Sequence, residues 1–221
     1  MALELNLSII TENLPLLLKG AGITLEITAL SVGLGLLIGM FVGVAKLSDN
    51  RLIRGLASVY VDCIRGTPLL VQIFLVYFAL PQIIGHRIDP FVAAVGACSI
   101  NSGAYVSEVI RAGIMAVDKG QQEAGRSLGL GYKDTMRFII IPQALKNILP
   151  AMGNEFIQLI KETSILGYVG IMDLTKASSY VSSRTYQMFI PLITAGIMYY
   201  LIVKILSIFL EKMERRMRQS D

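Results

Sequence analysis

The sequence has 221 residues, of which 54% are hydrophobic and 16% are charged, with a net charge of +4 and a mean hydropathy of +0.62. A soluble domain carries roughly a quarter of its residues as Asp, Glu, Lys or Arg, so this composition excludes an ordinary soluble protein. His86 is the one histidine, which excludes a histidine-rich metal site. Cys63 and Cys98 fall in apolar blocks and are expected to be small buried residues rather than a disulfide.

The N-terminal stretch, residues 3–18, is amphipathic and too charged to cross a bilayer. Pro15 is expected to end or bend it, so residues 1–20 are predicted to form an interfacial segment on the membrane surface. A cleavable signal peptide is not expected, because the stretch carries Glu4 and Glu12 and lacks a basic region at its start.

Five apolar segments follow, at residues 22–45, 56–80, 90–115, 148–168 and 188–210. A membrane-spanning helix needs about 20 apolar residues, because the hydrocarbon core is about 30 Å thick and each helical residue rises about 1.5 Å. The sequence therefore predicts an all-α, polytopic membrane protein with about five transmembrane helices. No linker divides the chain, so residues 1–221 are predicted to form one domain.

The positions of the basic residues predict the orientation. Most of the 20 Lys and Arg residues lie in residues 46–54, in residues 111–146 and in the tail from Lys204. Because cytoplasmic connections carry the excess of Lys and Arg, the N-terminus is predicted to lie outside and the C-terminus in the cytoplasm. The basic balance then reflects membrane topology, and no nucleic-acid partner is expected.

Polar residues inside the predicted spans are candidates for a site, since ionisable groups in hydrocarbon usually face a cavity or a partner. In the first span, Glu26 shares a helical face with Gly22, Ala29 and Gly33 and has no basic residue within one turn. The second span carries Asp62 and Arg65 three residues apart, where they could pair or bind separately. The third and fourth spans each have one polar face, Asn101, Tyr105 and Glu108 in the third, and Glu155, Gln158 and Glu162 in the fourth.

Two places are predicted to break helices and expose backbone polar groups. Gly66-Thr67-Pro68 interrupts the second span, because Pro68 removes the hydrogen bond to the carbonyl of Ile64. Ser102-Gly103 is the second predicted break, in the third span. Broken helices line the polar binding sites of many transporters.

The connection between spans three and four, residues 116–147, is long for a helical bundle. Residues 123–128 and 134–140 favour two short helices around Gly129 and Gly131, with Pro142 stopping the second. Such a pair forms a rigid knob that fits a groove on another protein, and a plain surface hairpin is the alternative. Within it lies a spaced motif made of Glu123, Ala124, Gly125, Gly129, Ile139 and Pro142.

This motif resembles the coupling-loop signature of the permease subunits of ABC importers. That signature is Glu-Ala-Ala, three residues, Gly, nine residues, Ile, one residue, Leu-Pro, and the chain departs from it at Gly125 and Ile141. Residues 65–72, 101–105 and 161–164, together with Glu108, Arg111 and residues 119–121, resemble the polar amino-acid branch that includes histidine, glutamine and arginine permeases. The resemblance covers about residues 20 to 210 and implies the type I importer permease fold.

The resemblance implies a set of partners. These are a cytoplasmic ATPase dimer, a second permease subunit that is either another copy or a paralogue, and an extracytoplasmic amino-acid-binding protein. The sequence contains no Gly-x-x-x-x-Gly-Lys-[Ser/Thr] motif, so ATP and Mg²⁺ are expected on the separate ATPase. The chain itself is expected to carry no cofactor, no metal and no catalytic residue, and to lie in the bacterial inner membrane.

For an amino-acid substrate, we expect Glu26 and Asp62 to meet cationic groups. Asn101, Ser102 and the backbone near Gly103 are expected to meet the carboxylate, with Tyr105 and Gln158 completing the pocket. Two carboxylates exceed the one that a neutral amino acid needs, which favours a basic substrate such as arginine, lysine or histidine. The alternatives are that Asp62 pairs with Arg65 and that the Asn101 amide only bridges two helices.

Three other functions compete with an importer subunit. A channel or secondary transporter without an ATPase leaves the cytoplasmic knob unexplained. An integral-membrane enzyme lacks a metal cluster and a nucleophile paired with histidine. A non-transporting assembly subunit predicts that changes in the pocket leave uptake unaltered.

Overall fold

The computed structural model of the chain describes residues 8–218, and these residues form helices and short connections without a strand. In chain order the helices are α1 (Ser8–Lys46), α2 (Arg51–Arg65), α3 (Leu69–Ile84), α4 (Pro90–Met115), α5 (Lys119–Ser127), α6 (Tyr132–Thr135), α7 (Ile141–Glu162), α8 (Leu174–Thr185) and α9 (Phe189–Arg218). A π-helical turn, Leu75–Ala79, lies inside α3. A second one, Met136–Ile140, joins α6 to α7, and a 3₁₀ turn, Thr163–Val169, follows α7.

The long helices occupy the predicted spans. By length and composition, α1 and α9 can each cross a membrane, and the bent pair of α2 and α3 would count as a third span. α4 and α7 occupy the third and fourth predicted spans, and the polar faces described above lower their hydropathy. The molecule is therefore an all-α bundle of the predicted class.

The first helix differs from its prediction. α1 runs without a break through Pro15, so this proline does not end a separate N-terminal helix. Leu17 is buried and packs in a cluster with Leu174 and Ala195, which belong to α8 and α9. This packing makes the N-terminal part of α1 a part of the bundle. Residues 1–7 of the predicted interfacial segment lie outside the described residues, and the surface position of residues 1–20 stays a prediction.

α1 and α4 pack closely because glycines line their contact. A Cβ atom at Gly39 would lie 2.5 Å from Cγ1 of Val106, and one at Gly35 would lie 2.8 Å from Cβ of Ser102. Gly43 continues the same row, and small residues at four-residue spacing let helix backbones approach in a membrane. This row is a different face of α1 from the Gly22, Ala29 and Gly33 stripe.

An ion-pair cluster joins the C-terminal parts of the same two helices. Lys46 of α1 pairs with the Glu108 carboxylate on α4. Arg111 binds the other Glu108 oxygen through Nη2 at 2.9 Å. Glu108, held by Arg111, therefore links α4 to α1.

The second span is broken as predicted, and α2 and α3 meet at a bend of 104°. The break lies at Gly66, Thr67 and Pro68, which the residues of α2 and α3 flank. In contrast, α4 continues through Ser102 and Gly103 as one helix. The predicted second break was wrong, because these small residues serve the close packing against α1.

The predicted stop at Pro142 was also wrong. The π turn before it brings the amide of Ile141 to the carbonyl of Met136, one residue farther than an α-helical bond. A wider turn accommodates a proline that lacks an amide hydrogen, so the helix continues into α7. The same arrangement occurs in α3, where a π turn precedes Pro81.

The connection after the 3₁₀ turn is tied to two helices. Asp173 is buried and caps α8, accepting hydrogen bonds from the amides of Thr175 at 2.9 Å and Lys176 at 3.2 Å. Burial raises the pKa of this carboxyl above its ordinary value. Leu174 donates its amide hydrogen to Oγ1 of Thr24 on α1 at 3.3 Å. This end of the bundle is thus a packed structure rather than a loose loop.

Candidate functional site

The polar face of α7 lies at the centre of the candidate site. Glu155, Gln158 and Glu162 follow one side of the helix at intervals of three and four residues. Nε2 of Gln158 donates a hydrogen bond to Oε1 of Glu162 at 2.9 Å. The Glu155 carboxylate lies near Ser102 of α4 and within electrostatic range of Arg65 on α2 and of Glu162. α7 thus presents two carboxylates on the side that faces α4.

The pocket predicted from the sequence contains Gln158 but not Glu155. Both belong to the same polar face, and Glu155 is the member that lies near Ser102 of α4 and within electrostatic range of Arg65 on α2. Glu162 lies close enough to Cys98 of α4 to act on it electrostatically. The signal was present in the sequence, because an acidic residue one turn before Gln158 shares its side of the helix.

Arg65 turns away from Asp62. Its guanidinium carbon lies 5.1 Å from the centre of the Tyr105 ring, which is a cation–π contact. Within the described part of the chain, Asp62 takes part in no ion pair. The intrahelical pair considered from the sequence was therefore wrong. The structure leaves an exposed carboxylate on α2 and brings Tyr105 to the site as a partner of Arg65.

Asn101 is buried and contacts Gln72 instead of an open pocket. Its Nδ2 donates to Oε1 of Gln72 at 3.0 Å. Nε2 of Gln72 lies 2.8 Å from the carbonyl of Ile64 and 3.1 Å from that of Thr67. Gln72 thus supplies the hydrogen bond that Pro68 removes. The alternative reading of Asn101, an amide that bridges two helices, is the one its contacts favour.

Two side-chain atoms of α4 are buried without a hydrogen-bond partner, Oδ1 of Asn101 and Oγ of Ser102. Gly103 lies against Ile38 of α1 and the Tyr60 hydroxyl, so its backbone is covered. Buried polar atoms without partners are rare and mark places where a water or a ligand binds. Asn101 and Ser102 are therefore predicted pocket residues with unused hydrogen-bonding capacity, and Ser102 is the one that lies near Glu155.

Glu26 lies on the exposed side of α1, together with Gly22, Ala29 and Gly33. Space is open where a Cβ would extend from Gly22 or Gly33. The face of α1 that packs on α4 carries Gly35 and the other buried small residues. Among the described residues, no contact joins Glu26 to the carboxylates of α7.

The connecting segment forms the predicted helix pair. α5 contains Glu123 and Ala124, both exposed, and Gly125, which is buried. A Cβ at Gly125 would lie 2.9 Å from Cδ1 of Ile139 and 3.0 Å from Cγ2 of Thr135. Gly125, one of the two departures from the motif, therefore lets α5 pack directly on the following turn.

Gly129 turns the chain between the two helices. Its φ of +84° is left-handed, and its amide donates to the carbonyl of Arg126 at 3.0 Å. Leu130 donates to the carbonyl of Gly125 at 3.1 Å. These two bonds make a Schellman motif, whose left-handed residue favours glycine.

Large apolar side chains of this segment extend into open space. Leu128 is 81% exposed, Tyr132 is 65% exposed and Phe138 is 63% exposed. An exposed apolar patch of this kind marks a protein contact or a membrane contact. We call residues 118–142 the coupling segment.

The known proteins that this chain resembles are membrane components of transport systems. The sequence profile of the family described as "binding-protein-dependent transport system inner membrane component" matches residues 35–219. The chain is 43% identical over 219 residues to the arginine transport system permease protein ArtQ of Bacillus subtilis, covering 99% of this chain and 100% of the relative. It is 38% identical over 217 residues to the glutamine transport system permease protein GlnP of Escherichia coli K12, covering 98% and 99%.

Solved structures agree with the helical arrangement. A chain of a crystal structure described as an amino acid ABC transporter with histidines superimposes with a TM-score of 0.93 at 46% identity, covering 98% of this chain and 100% of that one. An inward-facing MetNI methionine ABC transporter gives a TM-score of 0.73 at 21% identity, covering 92% and 97%. The second likeness is one of fold alone.

Proposed function

Because the chain belongs to the family of binding-protein-dependent transport system inner membrane components and is a permease subunit of an amino-acid ABC importer, we propose that it carries a basic L-amino acid. The observation that carries this proposal is the polar face of α7, where Glu155 lies near Ser102 and within electrostatic range of Arg65 and of the second carboxylate, Glu162. The site is proposed between α2, α4 and α7.

Charge complementarity supports a basic substrate. Glu155 and Glu162 on α7 lie within electrostatic range of each other, and Arg65 on α2 is within range of Glu155. Asp62, three residues before Arg65, takes part in no ion pair among the described residues. The ammonium of a neutral amino acid needs one carboxylate, so a second carboxylate suits a cationic side chain. Arg65, held over Tyr105, is placed to receive the substrate carboxylate. The names of ArtQ, for arginine, and of the structure with histidines agree with this choice, and the GlnP relatives make glutamine the competing substrate.

We propose the partners and orientation that the family implies in general. The coupling segment docks on a cytoplasmic ATPase dimer, which holds ATP and Mg²⁺. A second permease subunit completes the pathway, and an extracytoplasmic binding protein delivers the amino acid to the outer connections. The multi-pass chain lies in the inner membrane with its N-terminus outside and its C-terminus in the cytoplasm.

The test is uptake by the complete transporter in vesicles, with arginine, histidine and glutamine as competing substrates. Glu155→Gln removes one charge at nearly constant shape. Since a hydrogen bond to a charged group contributes about 1.5–3 kcal/mol, the apparent affinity for arginine should fall roughly 10- to 100-fold. Glu26→Gln makes the same chemical change on the exposed side of α1, away from the proposed site. Arginine uptake by this variant should match that of the unmodified protein.

Two outcomes would contradict the proposal. One is unchanged arginine affinity in Glu155→Gln when the variant assembles normally with its ATPase. The other is preferred uptake of glutamine over arginine and histidine by the unmodified transporter. If Glu26→Gln lowers the affinity for arginine and Glu155→Gln does not, the substrate site contains Glu26, as expected from the sequence, and not Glu155.

A further inference from the structure

The inner half of α9 has one face that no other described element covers. Leu201, Ile205, Ile208 and Phe209 recur at three- and four-residue spacing on this face. They are between 49% and 68% exposed. The same face continues one turn farther through Lys212 and Arg216, which are also exposed. We call these six residues the unpacked face of α9.

The opposite side of α9 is occupied by the protein itself. Leu210 packs against Gly153 of α7, where an added Cβ would collide with its methyl groups. Glu214 lines a cavity of about 650 Å³ between α9 and the inner ends of α4 and α7. The acidic Glu214 is therefore directed toward the bundle, whereas Lys212 and Arg216 are directed away from it.

Lys212 and Arg216 form the cationic part of this face. Among the described residues, neither Lys212 nor Arg216 takes part in an ion pair. With Phe209, Met213 and Met217 they line a groove of about 530 Å³ along the helix. The groove therefore combines apolar side chains with two cations.

We propose that this groove binds the headgroup of an anionic phospholipid, with an acyl chain lying along Phe209. Helical rise places Lys212 and Arg216 roughly 5 and 10 Å beyond Phe209 along the axis, which spans the headgroup layer of one leaflet. Lys and Arg at this depth extend toward lipid phosphates. The leaflet is the one on the side of the coupling segment, because Glu214 and the N-terminal cap of α5 line the same cavity.

A lipid fits this face better than a second copy of the chain. A twofold contact through the same face would bring Lys212 and Arg216 of both copies together, and like charges repel. An anionic lipid offers both parts of the pattern at once, hydrocarbon beside Ile205 and Phe209 and phosphate beside the cations. This inference depends on the chain crossing a membrane and not on which amino acid it carries.

The experiment uses tryptophan fluorescence, because the chain contains no Trp. Phe209→Trp places one permease probe in the groove of the complete transporter, and an otherwise identical complex without this substitution provides the background signal. The complex is reconstituted into phosphatidylcholine vesicles that contain either brominated phosphatidylglycerol or brominated phosphatidylcholine as quencher. The ratio of the two quenching efficiencies measures the preference for the anionic lipid at this position.

Preferential quenching by brominated phosphatidylglycerol is expected, and added Lys212→Gln and Arg216→Gln should reduce the preference. Each basic residue near a membrane surface contributes about 1 kcal/mol, so the pair should reduce it by roughly 5- to 30-fold. The conservative pair Lys212→Arg and Arg216→Lys should retain it. Arg51→Gln with Arg54→Gln removes the same charge from α2 and should leave the preference unchanged.

Equal quenching by the two lipids would overturn the proposal, because it would mean that the face contacts lipid without selecting the headgroup. Failure of both brominated lipids to quench the Phe209→Trp probe would also overturn it, since another polypeptide would then cover the groove. An equal loss of preference in the Arg51 and Arg54 control would show an effect of total charge, and would count against a site at Lys212 and Arg216.

Discussion

Gln72 shows how a single side chain stabilises a broken helix inside a membrane. Pro68 has no amide hydrogen, and lipid supplies none, so the carbonyl of Ile64 needs another donor. A glutamine amide can donate and accept at once, which lets Gln72 hold the carbonyls of the break and receive the Asn101 amide. The bend between α2 and α3 and the position of α4 are therefore coupled through one residue.

Gln72→Leu is expected to destabilise the permease, because it leaves the Ile64 carbonyl and the Asn101 amide without this partner. The loss should be about 1–3 kcal/mol, the usual effect of a buried polar group left unsatisfied. Thermal unfolding of the purified protein in detergent measures it. Gln82→Leu is the matched control, since Gln82 is exposed on the same helix and bonds only to its own turn. Equal melting temperatures for the two variants would contradict this role.

Among the helices, α1 and α4 pack against each other over an extensive contact, and glycines make their close approach possible. Gly35, Gly39 and Gly43 face α4, and Lys46 continues the contact by pairing with Glu108. In lipid, apolar side chains gain little by leaving the solvent, so association depends on close packing and polar contacts. This pair is a rigid unit beside which the bent α2–α3 pair and the coupling segment are arranged.

Gly39→Ala is expected to separate α1 from α4 and to lower the melting temperature. The new methyl group would lie 2.5 Å from Cγ1 of Val106, and overpacking of this kind costs about 1–3 kcal/mol. Gly33→Ala is the matched control on the same helix, where the space is open. There the better helix propensity of alanine should leave stability unchanged or raise it by up to about 1 kcal/mol. A Gly39→Ala variant as stable as Gly33→Ala would refute the close contact.

At the scale of the whole molecule, the subunit leaves much of its apolar surface uncovered. Side chains as large as Phe41 and Ile83 are 77% and 82% exposed, and lipid and the proposed partner subunits would cover such surface. Asp62 and Gln158 in the proposed pocket are exposed as well, so one chain does not enclose the pathway. The coupling segment with Leu128 at its tip is the surface proposed to receive the motion of the ATPase.

A cysteine placed at Leu128 tests the location and the docking of this segment together. In a Cys63→Ser background, Leu128→Cys should react with a membrane-impermeant thiol reagent in inside-out vesicles and remain unmodified in intact cells. Added ATPase subunits should protect it from the reagent. Ile83→Cys, near the end of α3 on the side proposed to lie outside, should react in cells and receive no protection. Modification of Leu128→Cys from outside would refute the proposed orientation, and absence of protection would refute the docking.

Four features could be predicted from the sequence alone. These are the class of protein, the positions of the spans, the break at Gly66-Thr67-Pro68 and the helix pair of the coupling segment. These features follow from runs of apolar residues and from proline and glycine, whose effects act within a few residues along the chain. The spacing also identified the polar face of α7, although Glu155 was not assigned to the pocket.

The contacts between polar side chains could not be predicted from the sequence, because they depend on how the helices pack. Arg65 binds the Tyr105 ring and not Asp62, Asn101 binds Gln72, and the helix passes through Pro142 because a π turn precedes it. A helix has several faces, and periodicity does not specify which face meets a neighbour. That choice depends on the fit of side chains from distant parts of the chain, such as Gly39 against Val106, and this fit exists only once the helices have packed.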